Sequence, residues 1–247
     1  MVVRVIVVAA VCPHPPLLVP ELAAGAAAEL DDLRRACDQA VAALAAADVV
    51  IMVGGDDGRA YSGFGPWGVE VTVGDGSPLP LSLLVGQWLL ARNGYGTEPA
   101  ERVRPVERVR PAERVAVARD APAHECARLG ARLAADDRRA GLLVLGDGSR
   151  CRGLGAPGYD DPRAAPYDTS VARAFAEVDT GALLGLDRRL SSELGVAGRA
   201  PWQVLAGAVR ATGGDWRGRV RYDAAPYGVA YLVATWTPTP PTERAVA

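Results

Sequence analysis

The 247-residue chain contains no lysine, so all 27 of its basic residues are arginine. Schiff-base chemistry and a lysine general base are therefore excluded. Histidine is almost as scarce, with only His14 and His124 present. The four cysteines, Cys12, Cys37, Cys126 and Cys151, are scattered without a C-x-x-C pair. That spacing argues against a zinc knuckle or a thioredoxin-type site, and for reduced thiols in a cytoplasmic protein. The net charge is only −2, with acids and bases interspersed, so no basic field points to nucleic acid or a membrane. No apolar run reaches membrane-spanning length. The apolar start is too short for a signal peptide and runs into Cys12-Pro13-His14-Pro15-Pro16, which favours a buried first strand.

Apolar residues make up 49% of the chain, enough for a sizeable core. The pattern predicts a single α/β domain over 1–236, with a central, mostly parallel or mixed sheet flanked by helices. Val2–Val11 reads as a strand covered on both faces, Glu21–Ala47 as one long amphipathic helix, and Asp48–Val53 as a second buried strand. Residues 59–78 read as an irregular excursion with an edge strand near Val69–Val73, followed by a helix over Leu79–Asn93 closed by Gly94. A Glu-Arg-Val-Arg-Pro repeat at about 100–113 places a proline at every sixth position. This forbids a helix or a central strand, and predicts an exposed insertion or ragged edge running into a strand at Arg114–Ala118. Further on, His124–Arg138 reads as a helix and Gly141–Leu145 as a third buried strand. A helix capped by Asp168 or Thr169 reaches Val178, another runs from Thr180 to Gly195, and a third runs from Pro201 to Gly213. Strands at Arg219–Tyr222 and Val229–Trp236 close the domain, leaving 237–247 as a disordered Pro/Thr tail.

Ligands of open α/β sheets bind beyond the carboxyl ends of the strands. Three loops expected there carry polar groups: Pro13-His14-Pro15, Asp56-Asp57, and Gly146-Asp147-Gly148-Ser149-Arg150-Cys151-Arg152. His14, its backbone held by prolines, reads as a metal ligand, an acid–base group, or a half-buried histidine bonded at a turn. Asp56 and Asp57 offer metal ligands or ordinary turn chemistry. In the third loop the backbone amides offer an anion cradle, with Ser149, Arg150 and Arg152 as substrate-binding groups. His14, Asp147 and Arg150 form the candidate catalytic set, and His14, Asp56 and Asp57 the candidate metal set. His124, beside Glu125 on an amphipathic helix, reads as a solvated surface residue. Neither a phosphate loop, a dinucleotide fingerprint nor a G-x-S-x-G elbow is present, which leaves nucleotide-dependent and serine-hydrolase chemistry unsupported.

The segments P-H-P-P-L-L-V-P-E, I-x-V-G-G, G-D-G-S and Y-G-V-A-Y-L, in this order across residues 3 to 236, resemble the LigB-like class III extradiol dioxygenase catalytic subunits and the related MEMO-like proteins. The resemblance implies a non-haem Fe(II) held by two histidines and a carboxylate, open to a catechol and oxygen, with a further histidine as acid–base. It places His14 on the first ligand, Asp56 where the second histidine belongs, and Arg150 where the acid–base histidine belongs. The glutamate ligand has no assigned position. Ala197 stands where MEMO-like members carry a cysteine. An arginine does not shuttle protons at neutral pH, and one histidine with aspartates suits Mg²⁺ or Mn²⁺ better than Fe(II). The expectation is therefore a LigB-like protein with an incomplete iron site that binds or acts on a small aromatic or anionic ligand. The alternative is a metal-free MEMO-like binding or scaffold protein. Either leaves room for a homo-oligomer.

Overall fold

A computed structural model describes residues 6–95, 110–135 and 138–240. Six strands form one sheet in the order β3-β2-β4-β1-β6-β5. They are β1 (Ile6–Cys12), β2 (Val49–Asp56), β3 (Arg110–Ala118), β4 (Ala140–Leu145), β5 (Trp216–Ala224) and β6 (Tyr231–Pro238). β1, β2, β3 and β4 run parallel, while β6 is antiparallel to both β1 and β5, so the sheet is mixed. The fold is α/β, as the pattern of apolar runs predicts.

Both faces of the sheet are covered, which explains the continuous apolar runs of the central strands. In β2, Val49, Ile51 and Val53 enter one core while Val50 and Met52 enter the other. β4 divides likewise, with Leu142 and Val144 on one side and Leu143 and Leu145 on the other. This is the alternation of a pleated strand buried twice over. The first core carries α4 (Ala123–Leu133), α5 (Ala164–Glu177), α6 (Thr180–Leu184), α7 (Arg188–Glu193) and α8 (Arg199–Thr212). The second carries α1 (Pro20–Ala23), α2 (Asp31–Ala42) and α3 (Leu81–Arg92). Among the described residues no helix is long and apolar enough to cross a membrane.

Several sequence expectations are corrected. The long helix over 21–47 is broken: Ala24 takes φ +45, residues Ala24–Leu30 form a 3-10 stretch, and only Asp31–Ala42 is regular α-helix. Arg34 supplies the cause. Its buried guanidinium donates to the carbonyls of Leu17, Leu18 and Ala27 and pairs with Asp31. An unbroken helix would give the Ala27 carbonyl to the Asp31 amide, which instead donates to Ala28. The expected strand near Val69–Val73 does not form; a Tyr61–Leu79 bridge, a 3-10 turn at Gly65–Trp67 and a single Phe64 N to Val71 O hydrogen bond order this region instead. Asp168 is no cap, because α5 already begins at Ala164. The helix expected over 180–195 is two, capped by the side chains of Asp179 and Asp187. β6 extends through Thr237 to Pro238, with Thr239 donating to Asp215, so the tail begins later than expected; 241–247 lie outside the described residues. The proline repeat lies mostly outside them too, but the strand it runs into is an edge strand, with a register shift between the Pro111 and Glu113 pairings.

α4 and α8 pack closely because glycines face the crossing. A Cβ on Gly130 would collide with the Val204 carbonyl and the Ala208 amide, and one on Gly207 with the Ala127 backbone. Gly130→Ala should therefore destabilise the fold by about 1–3 kcal/mol through overpacking, although alanine is the better helix former. Denaturant unfolding measures this as a lower midpoint at unchanged slope; a rise in midpoint would contradict the close crossing.

Candidate functional site

β4 lies between β1 and β2, all three parallel, so the loops leaving their carboxyl ends converge on one edge of the sheet. A cavity of about 310 Å³ opens there. It brings together His14, Asp57, Asp147 and Arg150 of the sequence-derived candidates, and adds Arg119 and Tyr231. Pro15, Pro16, Pro157, Leu81 and Val229 give it apolar walls.

The loop after β4 is stitched to its surroundings at almost every residue. Gly146 N donates to Cys12 O at 3.0 Å, Gly148 N to Ala230 O at 2.8 Å, and Arg150 N to Leu194 O at 3.0 Å. The Asp147 carbonyl accepts from the Ala197 and Gly198 amides, where α8 begins. Ser149 is fully buried, and its amide and hydroxyl both donate to Asp168, at 2.9 and 2.6 Å. Arg152 completes this cluster with an ion pair to Asp168 at 3.2 Å. The glycines serve packing: a Cβ on Gly146 would meet Gly198 and Trp202, and one on Gly148 would meet Ala230 and Asp168. The expected anion cradle is thereby corrected, because the amides of Gly146, Gly148, Ser149 and Arg150 already have protein acceptors. Ser149 and Arg152 do not line the cavity, and structure engages both.

Asp56 and Asp57 separate in the same way. Asp56 Oδ1 accepts from Gly58 N at 2.7 Å in a local turn, and its side chain does not line the cavity. Asp57, bonded to Arg59 N at 3.2 Å, does line it. The glycines before them belong to the strand: Gly54 lies within β2, where a Cβ would strike Ser82 at the start of α3. Ser82 Oγ donates to Gly55 O at 2.8 Å and fastens α3 to the strand end.

His14 is held through its backbone, whose amide donates to Asp147 Oδ1 at 2.7 Å. Its ring Nδ1 faces the same oxygen at 3.6 Å, too far for a hydrogen bond, and is buried without a partner among the described residues. Tyr231, the first residue of β6, enters the site because the antiparallel register of β1 and β6 (Ala9 with Trp236, Val11 with Ala234) carries it to the level of His14. Burial, with the nearby Asp147 charge, pushes the Tyr231 phenol well above its ordinary pKa and keeps it neutral, a hydrogen-bond donor. Arg119 and Arg150 make no side-chain hydrogen bond or ion pair among the described residues. The Arg150 shaft fits because Gly195, at φ +67, has no Cβ to obstruct it. The cavity therefore offers an imidazole beside a carboxylate, a neutral phenol and two uncommitted guanidinium groups.

The two-histidine, one-carboxylate iron set does not fit these residues. His124, on α4, has a side chain 71% exposed, is paired only with Glu125 at 3.9 Å, and does not line the cavity. Among the described residues no three His, Cys, Asp or Glu side chains are grouped to hold a metal ion, so the His14–Asp56–Asp57 set does not come together. All four cysteines are buried free thiols.

No family model matches the chain, and no curated protein matches it. Among solved structures it is similar to an uncharacterized protein from Escherichia coli K12, with a TM-score of 0.48 and 14% identity over 94% of this chain and 99% of that one.

The division between structural and cavity-facing residues is testable by stability. Asp168→Ala leaves the buried Ser149 donors and Arg152 without their acceptor and should cost about 3–5 kcal/mol. Asp57→Asn, at an exposed position, should stay within about 0.5 kcal/mol of the parent. Equal effects of the two in chemical denaturation would contradict this assignment.

Proposed function

We propose that the chain binds a small organic anion with a flat apolar body in the cleft beside His14, and that it is a LigB-like relative whose iron site is incomplete. The observation that carries this reading is the meeting of His14, Asp147, Arg119 and Arg150 around one cavity with apolar walls. Its size falls within the range of small-molecule sites, roughly 300–1,000 Å³. Guanidinium groups suit a carboxylate or phosphate because their planar donors match paired oxygens. The proline, leucine and valine walls suit an aromatic ring. The Tyr231 hydroxyl supplies a further donor, and the imidazole a site for holding or moving a proton.

A second reading, binding without turnover, is favoured by the imidazole standing alone. Ring cleavage by the iron route needs a second histidine ligand, and the cavity has none to offer. On this reading the cleft keeps its recognition groups and performs no oxygen chemistry.

Titration calorimetry with 3,4-dihydroxybenzoate, an aromatic anion, tests both. The parent protein is expected to bind it, and His14→Ala to weaken binding by about tenfold, as for loss of one well-placed polar contact. Absence of binding, or undiminished affinity in His14→Ala, contradicts the cleft reading. Added Fe(II) is expected to produce no ring-cleavage chromophore; its appearance contradicts both the second reading and the incomplete iron site, and leaves the binding cleft standing.

A further inference from the structure

A larger cavity of about 700 Å³ adjoins the first and shares Arg119, Arg150 and Gly195 with it. Its charges fall into two classes. Arg188 and Arg189 are neutralised, by Asp120 at 3.0 Å and Glu193 at 2.9 Å, and Asp187 is spent capping α7 through Leu190 N. Arg199 differs. It is 3% exposed, yet its hydrogen bonds go to Gln203 Oε1 and to the carbonyls of Arg119 and Ala121, and none goes to a carboxylate. A guanidinium taken out of water without a counter-charge is costly, and it projects a standing positive potential into the space beside it. Arg119 and Arg150 line both cavities and Arg199 lines the larger one, so three guanidinium groups border this space, and none has an acidic partner among the described residues.

We propose that this junction is an oxyanion subsite that takes the phosphoryl group of an organic phosphate whose flat body lies against His14. This rests on the cleft reading above and narrows its ligand class. Arg119 and Arg150 grip the oxygens from the rim, and Arg199, held rigid by its three acceptors, supplies charge from below without reorganising. A phosphoryl group fits better than a carboxylate because it presents three oxygens and close to two negative charges to three separate cations. The amides of Gly146, Gly148, Ser149 and Arg150 take no part, since protein acceptors already occupy them.

Inorganic phosphate is the probe, by titration calorimetry on the full chain. Saturable binding in the millimolar range is expected, weakened about tenfold by Arg119→Gln or Arg150→Gln and lost in the double variant. Both side chains are exposed and unbonded, so the variants should fold as the parent does. Arg189→Gln, which removes a neutralised arginine, should leave phosphate affinity unchanged. Absence of phosphate binding, or retention of it in the double arginine variant, overturns the subsite. Because 3,4-dihydroxybenzoate reports on the His14 end, binding of that probe without phosphate binding sinks the subsite alone. Phosphate binding without it sinks the cleft reading while the oxyanion site stands.

Discussion

Asp147 bonds in two directions, and the shape of the site follows from it. Its carboxylate accepts the His14 amide, which draws the proline-bound loop after β1 against the loop after β4. Its carbonyl accepts two amides at the start of α8, which draws that helix to the same point. One residue thus joins a strand end, a neighbouring loop and a helix from the first core. The parallel trio of β1, β4 and β2 makes this possible, because its loops leave the sheet side by side. The imidazole is held at a fixed depth by backbone alone, and its ring nitrogens are left uncommitted.

The distribution of arginine follows the same division of labour. With no lysine available, every cationic task falls to a planar guanidinium. Arg34 is consumed by carbonyls that shape the chain before α2, Arg152 by the buried Asp168, and Arg188 and Arg189 by surface acids. Arg119 and Arg150 have been given nothing of the kind. A charged side chain without a partner costs little where water reaches it, so its exposure beside a cavity marks positive charge open to a ligand rather than tied up in the fold.

The strands were legible in the sequence because burial on both faces leaves continuous apolar runs, as in Val49–Val53 and Leu142–Leu145. The helices on the Ala-rich segments were legible in kind and not in extent. Nothing in the composition of Glu21–Ala47 reveals that Arg34 will take carbonyls away from it. In the site, His14, Asp147 and Arg150 come from loops whose place after a strand was evident, and they do share a cavity. Ser149 and Arg152 sit in the same loop but turn inward to Asp168, which lies buried inside α5 where the sequence pattern offers it only as a helix cap. Arg119 follows a strand whose beginning lies in the proline repeat, and position directly after a strand was its only signal. Tyr231 had a weaker one: it opens an antiparallel strand, and only the β1–β6 register reveals that this end faces His14.

Two histidines in the whole chain give a direct measurement of the central claim, that a ligand anion comes to rest beside His14. In ¹⁵N-edited imidazole spectra recorded while 3,4-dihydroxybenzoate is added, the His14 ring signals are expected to move and saturate, and those of exposed His124 to stay in place. Movement of both to the same small extent, or of neither, would contradict the account.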